Sequence, residues 1–492
     1  MRLPDCRLPF IVAAILCQSA YVPVAAQDAP ASLSLTLQDA IELAIGQGRD
    51  VQRARATLEA ARYNYDSFHA QLFPQLSLTG DLPRYNRSII EVVQPDGSTL
   101  FRSQNETRAE VGLQVSQTIP FTGGTFFATS SVRRLSVGGI DDRLTWSSVP
   151  VTLGISQPLF QHNNLGWDRR EQPMMAESAE RQYREAREDV AVRVTGLFFD
   201  VYTARVNLET ATSNAAVNDT LYTLNNGRYE IGRIGENDLL QSELALLQAQ
   251  TALDAAILEL ERTTAALRIA LNIPANTPVE LVVPANVPQL APDTAVAVRE
   301  ALRNQSTMTT LDLQGVQADR LVSQARLSNG FDATVTASYG FNATGNALSD
   351  AYQNLLGAQQ VRLQVDIPLL QWGAGRSAVS AASARRDEIE YAREATLEQV
   401  AHDARFAALQ LSQARRGLDL SAKADSVGDA RFEVAYNRYV IGRIDINSLF
   451  TAQREKDQAR QNYVRALRGF WEAYYQLRRV TLYDFERNET IR

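Results

Sequence analysis

Two periodicities alternate along the chain. From Pro173 to Asn226 there is no further proline and one interior glycine, Gly196, which predicts a long helix with Pro173 in its first turn. A second helix is expected with Asn237 or Asp238 as its cap, running to about Leu271. Within it Leu246, Ala249, Leu253, Ala256, Leu260, Leu267 and Ala270 follow a spacing of three and four, interrupted at Thr263. That is a coiled-coil-like seam whose small residues let helices approach closely. A second pair is predicted from about Ser377 to Asn437 and from Asn447 to about Tyr483. Helices of about 50 to 60 residues reach roughly 75–90 Å at ~1.5 Å per residue. Globular helices seldom run so long; these suit a rod or a tube.

Between the helices the period changes to two. Val361, Leu363, Val365, Ile367 and Leu369 alternate with Arg362, Gln364 and Asp366, and Ala333, Val335, Ala337, Tyr339 and Phe341 alternate with small or polar residues. In the first half Val111, Leu113, Val115 and Ile119 follow the same rule, as do Val149, Val151, Leu153 and Ile155. A barrel strand between lipid and water has this pattern. A soluble, half-buried sheet alternates equally well, so the strands alone leave both architectures open.

An internal repeat organises these elements. Arg228-Tyr229-Glu230-Ile231-Gly232-Arg233-Ile234 recurs as Arg438-Tyr439-Val440-Ile441-Gly442-Arg443-Ile444, and the register continues with Asn237 against Asn447, Leu239 against Leu449 and Gln248 against Gln458. Upstream, a helical segment followed by alternating residues occurs near 37–80 and again near 295–341. The expected organisation is a first repeat over 27–272 (strands within 76–160, helix pair 173–271), a proline-rich linker over 273–293, a second repeat over 294–483 (strands within 332–369, helix pair 377–483) and a tail over 484–492. Pro274, Pro278, Pro284, Pro288 and Pro292 forbid a continuous helix through the linker.

The N-terminus changes the compartment. Arg2 and Arg7 precede a short apolar run from Phe10 to Leu16, and Val24-Ala25-Ala26 offers a small-residue cleavage site. Residues 1–26 are therefore expected to be a secretory signal peptide, its apolar run too short to span a bilayer. Both cysteines, Cys6 and Cys17, lie in that segment, so neither disulfides nor thiolate metal sites are expected in the exported protein. The formal net charge of −7 argues against a nucleic-acid partner.

Catalytic chemistry has no foothold. His69, His162 and His402 are isolated, without metal-ligand spacing, and no Gly-Lys-Ser/Thr phosphate loop occurs. Gly373-Ala374-Gly375 is a bare G-x-G that a strand-to-helix turn explains. No catalytic residue, cofactor or metal is expected, and the protein is not read as an enzyme.

With these features in place, the chain resembles the TolC family of outer-membrane efflux proteins. The resemblance rests on the paired R-Y-x-I-G-R-I turns, the Pro74 junction in Leu72-Phe73-Pro74-Gln75-Leu76, and the strand ends Ser156-Gln157-Pro158-Leu159-Phe160 and Asp366-Ile367-Pro368-Leu369-Leu370. It implies a mainly α fold with a membrane β-barrel portion. In a homotrimer, long antiparallel helices would form a shared α-barrel, and strands from each protomer a shared β-barrel. It further implies location in the Gram-negative outer membrane, extending into the periplasm. There the protein would serve as the passive channel-tunnel of a tripartite efflux pump or type I secretion system, with a periplasmic adaptor (membrane fusion) protein, an inner-membrane pump and outer-membrane lipid as partners. A soluble periplasmic coiled-coil scaffold or adaptor is the alternative; it explains the helices but not the paired strand sets.

The resemblance also assigns the turns. Arg228, Tyr229, Gly232, Arg233, Ile234, Arg438, Tyr439, Gly442, Arg443 and Ile444 are expected at the periplasmic tip, where an adaptor docks and the tunnel closes at rest. Tyr229 and Tyr439 fit either a constriction or ordinary helix packing, and the four arginines are candidates for bridges to nearby carboxylates. The aspartates that the family often carries after the second turn are replaced by Ser448 and Thr451, so an acidic selectivity ring is not carried over. Tyr85–Ala109 and Gly138–Ser148 are expected as polar outer loops. The first half offers four strand candidates, 76–82, 110–120, 125–137 and 149–160, where the family has two. The family's usual twelve-stranded barrel is expected, with the middle pair, joined at Gly123-Gly124, as an extracellular or folded-back hairpin. If all four cross the membrane, the barrel is larger.

Overall fold

Proline-poor sequence with apolar residues every three to four positions does form helices here, and the two longest outrun their predicted ends. The computed structural model describes residues 33–139, 142–284 and 287–491; the expected leader over 1–26 lies outside the described residues. Strand β1 (Leu33–Thr36) enters α1 (Leu37–Gln47) and α2 (Arg49–Gln71). Four strands follow: β2 (Gln75–Val93), β3 (Thr99–Thr118), β4 (Thr125–Gly138) and β5 (Arg143–Leu159). Then come α3 (Asn164–Glu230), α4 (Glu236–Leu271) and β6 (Val279–Val282). The plan begins again with α5 (Thr294–Asn304), α6 (Ser306–Ser328), β7 (Asp332–Gly345), β8 (Leu356–Asp366), α7 (Ala374–Val440) and α8 (Ile446–Thr481), and short strands β9 (Tyr483–Asp484) and β10 (Glu489–Thr490) follow.

Both α3 and α7 have 67 residues and both α4 and α8 have 36, each second-half boundary 210 residues after its counterpart (164 to 374, 236 to 446). At ~1.5 Å per residue the longer pair reach roughly 100 Å. Pro173 lies well inside α3 and not in its first turn. The start is set instead by Asn163, whose side chain accepts a 3.0 Å bond from the Gly166 amide. Pro173 forfeits one backbone donor without ending the helix. Neither Asn237 nor Asp238 caps α4: Gly235 precedes it and supplies no side-chain bond. Asp445 caps α8, accepting from the Ser448 amide at 2.8 Å.

The helices lie in the order α4, α3, α8, α7, with α1 and α2 against α3, and α5 and α6 against α7. Along the α4 seam Ala249, Thr263 and Leu267 are buried, while Leu244, Leu247 and Leu258 on its other side are exposed. Thr263, which interrupts the seam, donates its hydroxyl to the Glu259 carbonyl at 2.9 Å, so its polar atom is satisfied within the helix. The main core gathers where the short helices meet the long ones. It includes Leu37, Ala40, Val194, Phe198, Phe199, Leu271, Leu411, Phe470 and Leu477. Parallel pairing of β1 with β6 ties the start of the described chain to the linker.

All six longer strands form one antiparallel sheet in the order β2-β3-β4-β5-β7-β8. This corrects two expectations. Residues 85–93 and 99–109, expected as an outer loop, are paired strand, and only 94–98 turn the chain; 143–148, also expected as loop, belong to β5. The middle pair is not folded back from the sheet, because β3 and β4 are hydrogen-bonded between β2 and β5 along their length. Polarity misled the prediction: residues such as Arg87, Asn105 and Glu106 suggest loop by composition, yet a strand with solvent on one or both faces accommodates them.

Phe198, Phe199 and Phe470 are fully buried. Phe198→Ala is expected to destabilise the helical region by about 3–5 kcal/mol, checked as earlier loss of helical circular dichroism on heating.

Candidate functional site: the paired helix turns

At the end of the helices far from the sheet, α3 passes to α4 and α7 to α8 through two turns of the same construction. Gly232 and Gly442 take φ of 70° and 72°, a left-handed conformation that side chains with a Cβ adopt at a cost. In the first turn the Gly232 amide donates to the Tyr229 carbonyl at 2.8 Å and the Arg233 amide to the Arg228 carbonyl at 2.8 Å. In the second, Gly442 donates to Tyr439 at 2.9 Å and Arg443 to Arg438 at 2.8 Å. The repeated motif is thus a helix C-cap in which the last carbonyls are satisfied from beyond the turn.

Beyond this shared backbone the two turns differ. Tyr439 is 5% exposed, whereas Tyr229 is 41% exposed. The Tyr439 hydroxyl donates to Asn225 Oδ1 at 2.7 Å. Arg228 reaches across from the first turn, donating to the Val440 carbonyl at 3.0 Å, with its guanidinium 5.2 Å from the centre of the Tyr439 ring. Hydrogen bond, ring packing and cation–π attraction therefore clasp the end of α3 to the end of α7. Leu221, Ile446 and Leu449 are buried with Tyr439, and Ile444 packs against them. Tyr229 has no such setting, since the corresponding flank of α3 and α4 has no further helix of this chain beside it.

Of the predicted tip residues the fold thus brings Arg228 and Tyr439 together and uses Gly232 and Gly442 to reverse the chain. Arg233, Arg438 and Arg443 are exposed. Among the described residues none of the four turn arginines forms an ion pair with a carboxylate of this chain, contrary to the bridges expected. Arg228 is committed to a carbonyl and a ring, and the others project from exposed turns. Ile234, like Ile444, is half-buried. Asp445 acts as a helix cap; the Ser448 amide and hydroxyl hold its carboxyl below the usual range.

The sequence reading missed Asn225. Its signal was a helix-interior asparagine one turn before the motif, at the position where the second half carries Ala435. It also missed a polar ladder between α3, α4 and α8. There Gln241 donates to Asn447 at 2.7 Å, Asn214 to Asp457 at 2.7 Å and Gln453 to Asn214 at 2.8 Å. The ladder borders a groove of about 800 Å³ lined by small residues including Ala211, Ala245 and Ala252. Burial pushes the Asp457 carboxyl up, against the opposing pull of the Asn214 hydrogen bond. No group of three or more metal-ligating side chains occurs among the described residues, and no helix among them is long and apolar enough to cross a membrane.

An amphipathic antiparallel sheet thus stands at one end of a long double helix-pair, with tight turns at the other. The family described as Outer membrane efflux protein matches residues 40–134 and 103–272. Over residues 40–272 the chain matches this family, which is one of efflux channels and not of enzymes. Solved structures extend the likeness through the second half. The Campylobacter jejuni CmeC outer membrane channel is 16% identical, with 92% of this chain and 88% of that one covered at a TM-score of 0.67. A membrane protein from Pseudomonas aeruginosa is 15% identical, with 90% of each chain covered at a TM-score of 0.66. The open state of the Neisseria gonorrhoeae MtrE outer membrane channel is 15% identical, covering 90% and 88% at a TM-score of 0.61. No match was found among curated proteins. The protein is thus an outer-membrane efflux channel that extends into the periplasm.

Tyr439→Phe removes the bond to Asn225 and is expected to weaken the clasp by about 1–3 kcal/mol. Amide hydrogen exchange should then speed up around 225–228 and 437–444 while the main core stays protected.

Proposed function

We propose that three copies assemble into a continuous conduit and that the protein passively conducts solutes or polypeptides delivered by an inner-membrane pump through a periplasmic adaptor. The pump belongs to a tripartite efflux or type I secretion system. The observation that carries this reading is the incompleteness of the single chain. The sheet ends in two unpaired strands, β2 and β8. Apolar side chains remain exposed on the outer helices, including Leu244 and Leu247 on α4 and Phe406 and Leu420 on α7. A lone protomer in lipid would leave strand edges without partners, and closure by further copies supplies them. A soluble coiled-coil scaffold accounts for the helices but leaves the apolar face of the sheet without a purpose.

In this reading chain residues 27–272 and 294–483 are two repeats of one design, and the turns are the adaptor-docking and closing end. The clasp of Arg228, Tyr439 and Asn225 holds α3 and α7 of one chain together at rest. Exposed Tyr229, Arg233, Arg438, Gly442 and Arg443, with half-buried Ile234 and Ile444 beside them, lie where neighbouring copies and adaptor hairpins approach. Energy comes from the pump; the adaptor shifts the tip toward its open arrangement by binding that arrangement better.

Purified protein is expected to have the mass of three chains by light scattering after subtraction of detergent. In planar bilayers the double variant Arg228→Ala, Tyr439→Phe should raise resting conductance several-fold over wild type. A monomeric mass counts against the assembly, and unchanged conductance in the double variant counts against the clasp as part of the closed end.

A further inference from the structure

On the helix side of its register shifts, at 81–84, 129–131 and 148–151, the sheet keeps one register through the strands that the family resemblance does not account for. One row, crossing all six strands, reads Leu76, Val115, Ala128, Leu153, Tyr339 and Gln359. The row one residue toward the helices, on the opposite face, reads Gln75, Ser116, Phe127, Gly154, Ser338 and Gln360. Leu78 beside Leu113, and Phe126 beside Ile155, continue the apolar face; Ser77, Gln114, Thr129 and Thr152 continue the polar one. Neighbours in a row share a face, so β3 and β4 present their apolar side chains in the same belt as the other strands. Leu76, Leu113, Leu153 and Tyr339 in that belt are exposed, as lipid contact requires.

The ends of the extra strands also fall at the correct level. The turn over 119–124 is held at the helix side of the sheet, where Asn163 Nδ2 donates to the Pro120 carbonyl at 2.8 Å and Gln157 Nε2 to the Thr122 carbonyl at 3.0 Å. Gln117 Nε2 reaches the Leu72 carbonyl at 3.3 Å, and the Arg169 guanidinium sits 5.1 Å from the centre of the Phe121 ring. These bonds moor the turn beside the α2–β2 and β5–α3 junctions, where the other strands enter the membrane. From there β3 and β4, of 20 and 14 residues, exceed the ~9–11 residues that a tilted membrane strand needs.

We infer that all six strands cross the outer membrane and that three chains close an eighteen-stranded barrel, β8 of each copy pairing antiparallel with β2 of the next. The six strands alternate in direction, so these two edges run oppositely and close without a parallel seam. The inference rests on the trimeric reading for its multiple of three. With strands about 4.8 Å apart and tilted about 40°, eighteen give a backbone diameter of roughly 36 Å, against roughly 24 Å for twelve. The wall facing the lumen carries Gln114, Thr129, Thr152 and Gln360. A wide polar lumen of this kind leaves size selection to the helix tip.

With Cys6 and Cys17, the two cysteines of the sequence, replaced by serine, single cysteines can be placed on the extra strands and read with an environment-sensitive fluorophore in vesicles carrying nitroxide lipid. Ala128→Cys on β4 and Val115→Cys on β3 should lose fluorescence as Leu363→Cys on β8 does, while Thr129→Cys should keep its signal and react with a charged thiol reagent. Quenching at Leu363→Cys but at neither Ala128→Cys nor Val115→Cys overturns the inference. Two apolar variants guard against misfolding of one. End-on electron microscopy of particles of three-chain mass should show the wider ring; a ring of roughly 24 Å overturns the inference and spares the trimer. Quenched β3 and β4 sites in particles of another mass keep the six crossing strands, overturn the count of eighteen, and refute the trimeric reading itself.

Discussion

Strand edges in hydrocarbon govern this molecule. Inside a bilayer each unpaired backbone N–H and C=O lacks even water as a partner, and the sheet of one chain ends in two such edges, β2 and β8. Among the described residues nothing covers them. The helices stand at the end of the sheet, not across it, and the polar face is too hydrophilic to be buried in a core. Closure by identical neighbours, as proposed, would satisfy both edges at once, and the rest of the architecture is compatible with that closure. An even number of alternating strands, two outward-facing helix flanks and a common axis for strands and helices all repeat without conflict around a ring.

The helical part solves a different problem with the same economy of parts. A helix of roughly 100 Å has far more side surface than one short neighbour can cover, so α3 and α7 are each covered in sections. The short helices and the phenylalanine-rich core lie in one section, α4 or α8 along much of the rest. Small residues such as Ala249 allow the close approach, and hydroxyls such as those of Thr195 and Thr263 bond back to their own helices. At the tips the duplication produces equal backbones and unequal surroundings. Tyr439 is enclosed because α3 lies beside α7 and α8; Tyr229 stays open because its corresponding neighbour belongs to no part of this chain.

The long helices, the paired turns and the existence of alternating strands were legible in the residues. Each depends on local rules: spacing of three and four, glycine where φ is positive, and period two between helices. The helix starts were not. Asn163 outcompetes Pro173 as the starting signal because capping is decided by which side chain meets the free amides, and Pro173 can ride inside a helix with the loss of one donor. The hairpin of β2 and β3 reads as loop because its middle, over 84–88 and 103–108, is mostly polar on both faces, and local composition cannot distinguish a hydrated strand from a hydrated loop.

By itself the sequence determined the duplicated plan, an amphipathic sheet attached to long helices, and the two turns that reverse them. Those are properties of short windows and of their repetition. Tertiary structure decided which strands are neighbours, that β3 and β4 share the belt of the others, and that Arg228 meets Tyr439 and Asn225 across a separation of more than two hundred residues. Pairing and clasp alike depend on how distant segments are brought side by side. The periodicity of one strand or one helix is the same whichever neighbour it finds.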